Sequence, residues 1–399
     1  MSLNNTPSAN RTHIGIFGRR NAGKSSIINA ITGQNHAIVS DVLGTTTDPV
    51  PKAMELLPLG PVVMIDTPGL DDEGDLGTLR IQKAYQILNK TDIALLVIDA
   101  SAGATKEDLA ILSKIHEKKI PCVIAGNKID LCPSGKSQVD ASAFSDPYIE
   151  VSTKNKQNIH ELKELIAAQL PDGINSKKIV GDLLKPMDLV ILVVPIDSAA
   201  PKGRLILPQQ QTIRDVLDVG ATALVVRETE LKDTLASIGR KPHLVITDSQ
   251  AFKQVSKDTP SGIPLTSFSI LFARYKGNLD SLVKGAKMLD SLKDGDHILI
   301  SEGCTHHRQC EDIGTVKMPK WIQTHTGKEL TFSFTSGGEF PLDLSPYQLI
   351  VHCGGCVLNE KEMKYRIRCA ADAGVPMTNY GTAIAHMNGI LKRALKPLS

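Results

Sequence analysis

One short segment near the start of the chain has the residue types and spacing of a phosphate-binding loop. Residues 18–25 read GRRNAGKS, between an apolar run and a helical pattern. Glycines at these positions let backbone N–H groups and the start of the next helix surround phosphate oxygens. Lys24 then reaches the β and γ phosphates, and Ser25 coordinates Mg²⁺. We expect the nucleotide to contact Gly18, Asn21, Ala22, Gly23, Lys24, Ser25 and Ser26.

A second segment, DTPG at residues 66–69, ends a predicted strand and complements this loop. Asp66 can hold Mg²⁺ through a water molecule, while the Gly69 N–H faces the γ-phosphate. We therefore expect Lys24, Asp66 and Gly69 to take part in hydrolysis of a nucleoside triphosphate.

Two later segments select the base. Asn127, Lys128 and Asp130 lie in NKID, directly after another predicted strand. Asp130 can accept hydrogen bonds from guanine N1–H and from its amino group, a donor pair that adenine lacks, and such discrimination is strong. The loop of Ser152, Thr153 and Lys154 can close over the guanine O6. The four segments together predict a GTP site.

A different chemistry is indicated by cysteines near the end of the chain. CTH at 304–306 and HCGGC at 352–356 each follow a predicted strand. The two glycines let Cys353 and Cys356 point at one centre and expose N–H groups that can bond sulfide. Cys304 can add a third thiolate, because strand ends in an open α/β sheet meet at one edge. This set suits a 4Fe-4S cluster or, as three cysteines with one histidine, Zn²⁺; unligated thiols are the third possibility.

The elements that must position these residues alternate between strand and helix patterns. Short continuous apolar runs, such as 13–18, 93–100 and 121–128, predict parallel strands covered on both faces. The sequence predicts three α/β domains, the first with a mostly parallel sheet. They are a P-loop domain at 8–171, a small α/β domain at 184–266 and a C-terminal cysteine-bearing α/β domain at 267–399.

Within the last domain, we expect the run SFSILF at 267–272 to be a strand and residues 382–395 to form one helix. Lys361, Lys364, Arg366 and Arg368 lie on a predicted helix at 360–373, and we interpret them as a solvated face.

Composition excludes several classes of function. The 399 residues carry a net charge of +2 and only 4% aromatic residues, which disfavours binding nucleic acid by charge and base stacking. The longest apolar runs, such as 189–194, are too short to cross a membrane. Seven cysteines are too few for a disulfide scaffold, and the polar first residues show no secretory signal. We expect a cytoplasmic protein.

The first domain resembles the GTPases of the MnmE and Era group. GTTTD at 44–48 is similar to their GTTRD switch segment, with Thr47 where arginine is usual. The resemblance implies that Thr46 closes on Mg²⁺ in the GTP state and contributes to catalysis, and that Asn21 ligates K⁺. Leu70 stands where Ras-type enzymes have the catalytic glutamine, so unassisted hydrolysis should be slow.

The order of P-loop domain, middle α/β domain, CxH and HCxxC resembles the FeFe-hydrogenase maturation GTPases of the HydF family. The resemblance implies a 4Fe-4S cluster on Cys304, Cys353 and Cys356, with His352 or His306 as the possible fourth ligand. It also implies a homodimer formed through the middle domain. Such a protein is a scaffold that carries a diiron precursor with CO and CN⁻ ligands to apo FeFe-hydrogenase. Its other partners would be the two radical-SAM maturases.

A second interpretation is an MnmE- or Era-like GTPase that acts in tRNA modification or ribosome assembly and has a structural zinc site. The switch segment favours it, whereas the lack of a basic tail and the few aromatic residues do not.

Overall fold

The computed structural model describes residues 10–33, 50–67, 84, 86–133, 136–170, 177–196, 205–303, 312–341 and 343–398. The chain forms two compact units, Met1–Ile174 and Asn175–Ser399. Both are α/β, as predicted, and the described residues form three sheets.

The first unit is built on one six-stranded sheet. Its strands are β1 (Thr12–Phe17), β2 (Val50–Leu56), β3 (Gly60–Asp66), β4 (Ile93–Asp99), β5 (Cys122–Asn127) and β6 (Tyr148–Glu150). Their order is β2-β3-β1-β4-β5-β6, and only the edge pair β2–β3 is antiparallel. Every residue of β4 is buried, as expected for a central strand covered on both faces. Its described helices include α1 (Lys24–Thr32), α2 (Lys106–Glu117) and α3 (Ile159–Ala167).

The second unit holds two four-stranded parallel sheets. One has the order β10-β9-β7-β8, with strands β7 (Leu189–Val193), β8 (Thr222–Val226), β9 (Leu244–Thr247) and β10 (Leu265–Ser267). The other has the order β12-β11-β13-β14, with strands β11 (His297–Ser301), β12 (Thr331–Thr335), β13 (Leu349–His352) and β14 (Met377–Asn379).

Helices cover both faces of these two sheets. They are α4 (Leu207–Asp218), α5 (Leu231–Ser237), α6 (Phe252–Asp258), α7 (Phe268–Lys276), α8 (Leu279–Lys287), α9 (Met318–Thr326), α10 (Glu360–Asp372), α11 (Tyr380–Met387) and α12 (Leu391–Leu395). Alternate residues of β7 join different apolar clusters. Ile191 shares a cluster with Phe252 of α6, and Val190 shares one with Phe268 of α7. The β7 strand is therefore buried on both sides.

Two predicted elements of the second unit differ from the structure. The run at 267–272 is a helix from Phe268 onward, because the Ser267 side chain accepts a hydrogen bond from the Ile270 N–H and starts α7. A short apolar run does not distinguish a buried strand from a buried helix. The helix predicted at 382–395 is broken between α11 and α12, where Gly389 has a φ of 69°. The predicted domain boundaries stay predictions.

No helix in the part of the chain that the structure describes has the length and apolar character needed to cross a bilayer.

Candidate functional site

The phosphate-binding loop connects β1 to α1 and has two glycines that no other residue could replace without strain. Gly18 has a φ of 139°, and a Cβ there would lie 2.2 Å from the Val97 carbonyl oxygen. Gly23 has a φ of 94°, and a Cβ there would lie 2.2 Å from the Asn127 amide nitrogen. Both positions are in the left-handed region that favours glycine. Tight packing against β4 and β5 therefore fixes the predicted loop.

Lys24 begins α1, and its ammonium is held over the loop. Its Nζ donates to the carbonyl oxygens of Gly18 and Arg19 at 2.9 and 2.8 Å, and the residue is only 8% exposed. A buried cation fixed at the N-terminus of a helix attracts a polyphosphate strongly.

Ser25 and Asp66 meet, as the predicted Mg²⁺ site requires. The Ser25 Oγ donates to Asp66 Oδ2 at 2.7 Å. The other carboxylate oxygen, Asp66 Oδ1, is buried and has no hydrogen-bond partner among the described residues. Mg²⁺ prefers oxygen ligands such as hydroxyls and carboxylates. Asp66 Oδ1 could accept a hydrogen bond from a water molecule bound to the ion, which would satisfy this buried oxygen. These residues therefore fit Mg²⁺.

The base-recognition residues come together at the ends of β5 and β6. Ser152 Oγ donates to Asp130 Oδ1 at 2.6 Å, which orients the carboxylate predicted to read guanine. The Thr153 N–H donates to Asn127 Oδ1 at 3.4 Å. The Asn127 amide donates in turn to the Ala22 carbonyl at 3.0 Å, so one buried side chain joins the base loop to the phosphate loop.

Asp99, at the end of β4, is a site residue that the sequence analysis missed. Lys128, which has a φ of 68°, donates to Asp99 Oδ2 at 2.8 Å, and Arg19 lies 3.7 Å from the same oxygen. Burial alone would raise the pKa of Asp99, but the hydrogen bonds from Lys128 and Ser101 hold it below its usual range. Its position at the same sheet edge as Asp66 and Asn127 could have indicated that Asp99 belongs to this site.

Several predicted residues lie outside the described residues, namely Thr46, Gly69, Leu70, Cys304 and His306. Their predicted roles stay predictions. Cys122 and Cys132, which we did not assign to a site, are buried in the first unit, and burial raises the pKa of the Cys122 thiol.

The strands that precede the two cysteine segments are neighbours. β11 and β13 pair in parallel, with Ser301 opposite His352. The Gly303 N–H, one residue before Cys304, donates to the Cys353 sulfur at 3.0 Å. The two cysteine segments therefore start from adjacent strand ends, as predicted from the topology of open sheets.

The HCGGC loop offers sulfur ligands in a setting suited to negative charge. Cys353 and Cys356 are half-buried thiols, and the Gly355 N–H donates to the Cys353 sulfur at 3.4 Å. Burial raises the pKa of the Cys356 thiol, with a further contribution from Cys353, whereas the neighbouring Lys276 lowers it. Thiolates with N–H donors and a nearby cation are the environment of an iron–sulfur cluster, so these residues fit one.

Lys276, at the end of α7, is the cation of this loop. Its Nζ donates to the carbonyls of Gly355, Cys356 and Leu358 at 3.1, 3.0 and 2.8 Å, and the residue is 2% exposed. Burial lowers the pKa of Lys276 to about 8, although Cys356 and Cys353 act to raise it. Nothing in the sequence near Lys276 indicated this role, because its partners lie about eighty residues away.

His352 is wholly buried, and both of its ring nitrogens have partners. Its Nδ1 lies 2.7 Å from the Cys353 carbonyl oxygen, and Arg366 Nη1 lies 3.1 Å from its Nε2. Since arginine can only donate, Nε2 accepts and the proton is assigned to Nδ1. This arrangement favours a supporting role for His352 over that of fourth cluster ligand.

Arg366 corrects the expectation of a solvated helix face. It is completely buried and donates to Glu362 Oε1 at 2.9 Å and to the Gly337 carbonyl at 2.9 Å. Its guanidinium also lies 5.2 Å from the centre of the Phe340 ring. A charge this deeply buried persists only when it is paired, and here it fixes the His352 ring beside the cysteine loop.

Three family models match the chain. The model described as 50S ribosome-binding GTPase matches residues 13–128, that of the hydrogen maturase F dimerization domain matches 179–277, and that of the hydrogen maturase F tetramerization domain matches 280–397.

Two curated relatives are similar to about two fifths of the chain. The tRNA modification GTPase MnmE of Helicobacter acinonychis (strain Sheeba) is 37% identical over 167 residues, which are 41% of this chain and 37% of that protein. GTPase Der of Heliobacterium modesticaldum (strain ATCC 51547 / Ice1) is 34% identical over 168 residues, 38% of either chain. The chain thus spans little more than a third of the length of these relatives. Among solved structures, a variant of Aquifex aeolicus Era bound to GDP.AlF4- has a TM-score of 0.35 at 20% identity, covering 54% of this chain and 92% of that one.

A GTPase domain is therefore followed by two domains that are both characteristic of one family. Together, the dimerization and tetramerization models account for more than half of the chain. The chain belongs to the hydrogen maturase F family.

Proposed function

We propose that this protein is a GTP-hydrolysing scaffold that binds a 4Fe-4S cluster and assembles or delivers a diiron precursor with CO and CN⁻ ligands to apo FeFe-hydrogenase. The observation that carries the proposal is the pairing of β11 with β13, because the two cysteine segments follow these neighbouring strands. The buried Lys276 contacts the second of these segments. The GTPase domain on the same chain supports the nucleotide-dependent part.

The GTPase residues act by positioning and by charge. Lys24 binds the phosphates and balances their negative charge, while Ser25 and Asp66 would hold Mg²⁺. When bound, Mg²⁺ stabilises the charge that develops on the transferred phosphoryl group. Asn127 couples the guanine loop to the phosphate loop, so that binding of the base orders both.

We also propose that K⁺ binds at Asn21, which is exposed and has a φ of 59°. We expect hydrolysis to be about tenfold faster in KCl than in NaCl, which equals about 1.4 kcal/mol of transition-state stabilisation. Asn21→Ala should remove this difference, whereas Arg20→Ala should keep it. Steady-state rates in the two salts measure the effect, and equal rates for the unaltered protein would contradict the potassium site.

The cluster would be held by Cys304, Cys353 and Cys356. The N–H groups of Gly303 and Gly355 would donate to sulfur, and the charge of Lys276 would offset the net negative charge of the thiolates. When bound, a cluster with one exchangeable ligand supplies an attachment point for an iron-containing cargo. His306 stays a candidate for that exchangeable ligand.

Self-association is supported by the two family domains and by the edge strands of their sheets. In the described part of the chain, β8 ends the first four-stranded sheet and has Val225 43% exposed, while β12 ends the second and has Phe334 38% exposed. A strand edge with apolar side chains favours pairing with another chain. We propose a homodimer through the middle domain. We also propose that its partners are the two radical-SAM maturases and apo-hydrogenase, and that the protein is cytoplasmic.

The experiment that tests this function is electron paramagnetic resonance of the anaerobically reconstituted, dithionite-reduced protein. We expect the fast-relaxing signal of a reduced 4Fe-4S cluster and about four iron atoms per chain. The Cys304→Ser, Cys353→Ser double variant should lose both, while Cys369→Ser, a matched change in the same domain, should keep both.

Tight binding of one zinc ion by the cysteines, with no cluster signal, would contradict the scaffold function. It would instead favour an MnmE- or Era-like GTPase with a structural zinc site. This is the second candidate because a curated MnmE protein is similar to part of this chain.

A further inference from the structure

A second group of metal-ligating side chains lies in the C-terminal domain and contains no cysteine. Asp290 belongs to the 3₁₀ turn Met288–Ser291 that follows α8, while His325 and His386 lie in the last turns of α9 and α11. His325 Nε2 and His386 Nε2 each lie 2.9 Å from a different oxygen of the Asp290 carboxylate. Three ligand atoms, one from each residue, all lie within 4.8 Å of one another.

The surroundings of this group favour a cation. The C-terminal ends of α9 and α11 bring the negative ends of two helix dipoles to the carboxylate. The side chains of His325 and His386 are 25% and 17% exposed, and their rings lie 5.8 Å apart, centre to centre. The imidazoles are therefore held by packing, while the 56% exposure of the Asp290 side chain leaves an entry path from solvent.

We propose that Asp290, His325 and His386 form a binding site for a divalent first-row transition ion, separate from the cysteine site. A tetrahedral ion with bonds of about 2.0–2.1 Å needs ligand atoms about 3.3 Å apart, and the three candidate ligand atoms lie within 4.8 Å of one another. Each imidazole would bind the ion through the lone pair of Nε2, in the neutral tautomer that carries its proton on Nδ1. Two imidazoles and a carboxylate suit Zn²⁺ or Fe²⁺ and leave positions open for water.

A simple ion pair is the competing interpretation, and the chain offers a matched example of it. His116 Nε2 lies 2.7 Å from Asp146 Oδ2 on the surface of the first unit, but this pair has only one imidazole. Among the described residues, the group around Asp290 alone brings together three such ligands. The His116 pair therefore serves as the control for any effect of an exposed His–Asp contact.

The test uses the full-length, cluster-loaded protein dialysed anaerobically against Zn²⁺, with zinc and iron measured per chain. We expect one tightly held zinc in addition to the iron. Asp290→Asn and His325→Gln should each weaken zinc binding at least about 100-fold without changing the iron content. His116→Gln should leave both unchanged. Near-ultraviolet circular dichroism establishes that each variant is folded.

Zinc-edge X-ray absorption identifies the ligands directly. We expect nitrogen and oxygen scatterers at about 2.0–2.1 Å, because the site has no thiolate. Sulfur scatterers at about 2.3 Å would assign the zinc to the cysteines and overturn the proposal. Zinc uptake that is absent, or equal in the unaltered protein and the Asp290→Asn variant, would also overturn it. Loss of the cluster signal would not change the zinc result, so the failure of the proposed function and the failure of the zinc site can be told apart.

Discussion

We expect that replacing Lys24 with alanine lowers the rate of GTP hydrolysis by about 10²–10³-fold or more, the range typical of removing a preorganised charge at a transferring phosphoryl group. The ammonium is 8% exposed and is fixed by two carbonyls of its own loop, so it needs no reorganisation when the phosphates bind. Single-turnover hydrolysis measured at saturating nucleotide separates this loss from weaker binding.

Lys106→Ala provides the matched control, because Lys106 is an exposed lysine of the same unit, at the start of α2. We expect this variant to hydrolyse GTP at the normal rate. Metal content of the cysteine site should be normal in both variants. A normal rate in Lys24→Ala would refute the assignment of the phosphate loop.

We expect that replacing Lys276 with methionine destabilises the HCGGC loop and makes the proposed cluster harder to reduce. The carbonyls of Gly355, Cys356 and Leu358 lose this donor, and a buried group that is left unsatisfied costs about 1–3 kcal/mol. The reduced cluster carries one more negative charge than the oxidised one, so loss of a nearby cation disfavours reduction. We expect the reduction potential to fall by on the order of 60 mV, a tenfold change in a one-electron equilibrium.

Two measurements separate these effects of Lys276. Urea unfolding of the cluster-free protein reports the loss of stability, and a potentiometric titration followed by electron paramagnetic resonance reports the potential. Lys276→Arg keeps the charge and should largely keep the potential. Lys284→Met removes an exposed lysine of α8 and should change neither quantity. An unchanged potential in Lys276→Met would show that the lysine only supports the loop.

The described residues of the candidate nucleotide site could be predicted from the sequence, because they lie in short segments whose spacing is set by local geometry. Ser25 and Asp66 are 41 residues apart, yet each lies in a recognisable segment, and the structure places them in contact. Asp99 has no distinctive neighbours in sequence, so its link to Lys128 becomes visible only in three dimensions.

The supports of the cysteine loop could not be predicted for a similar physical reason. Arg366 belongs to a helix with many charged residues, and only its contacts with Glu362, His352 and Gly337 explain its burial. Lys276 ends α7, a helix whose first residues form a short apolar run that we had predicted to be a strand. The burial of such residues depends on contacts with residues far away in the chain, and a single sequence does not show which residues make contact.

The hydrogen bonds of Lys276 to the cysteine loop join two domains that are matched by separate family models. Lys276 lies within the dimerization-domain match at 179–277, whereas its three carbonyl partners lie within the tetramerization-domain match at 280–397. A chain that began at residue 280 would lack the cation on which its cysteine loop depends. We therefore expect that exchanging one of the two domains with that of a homologue succeeds only if the lysine and the loop are exchanged together.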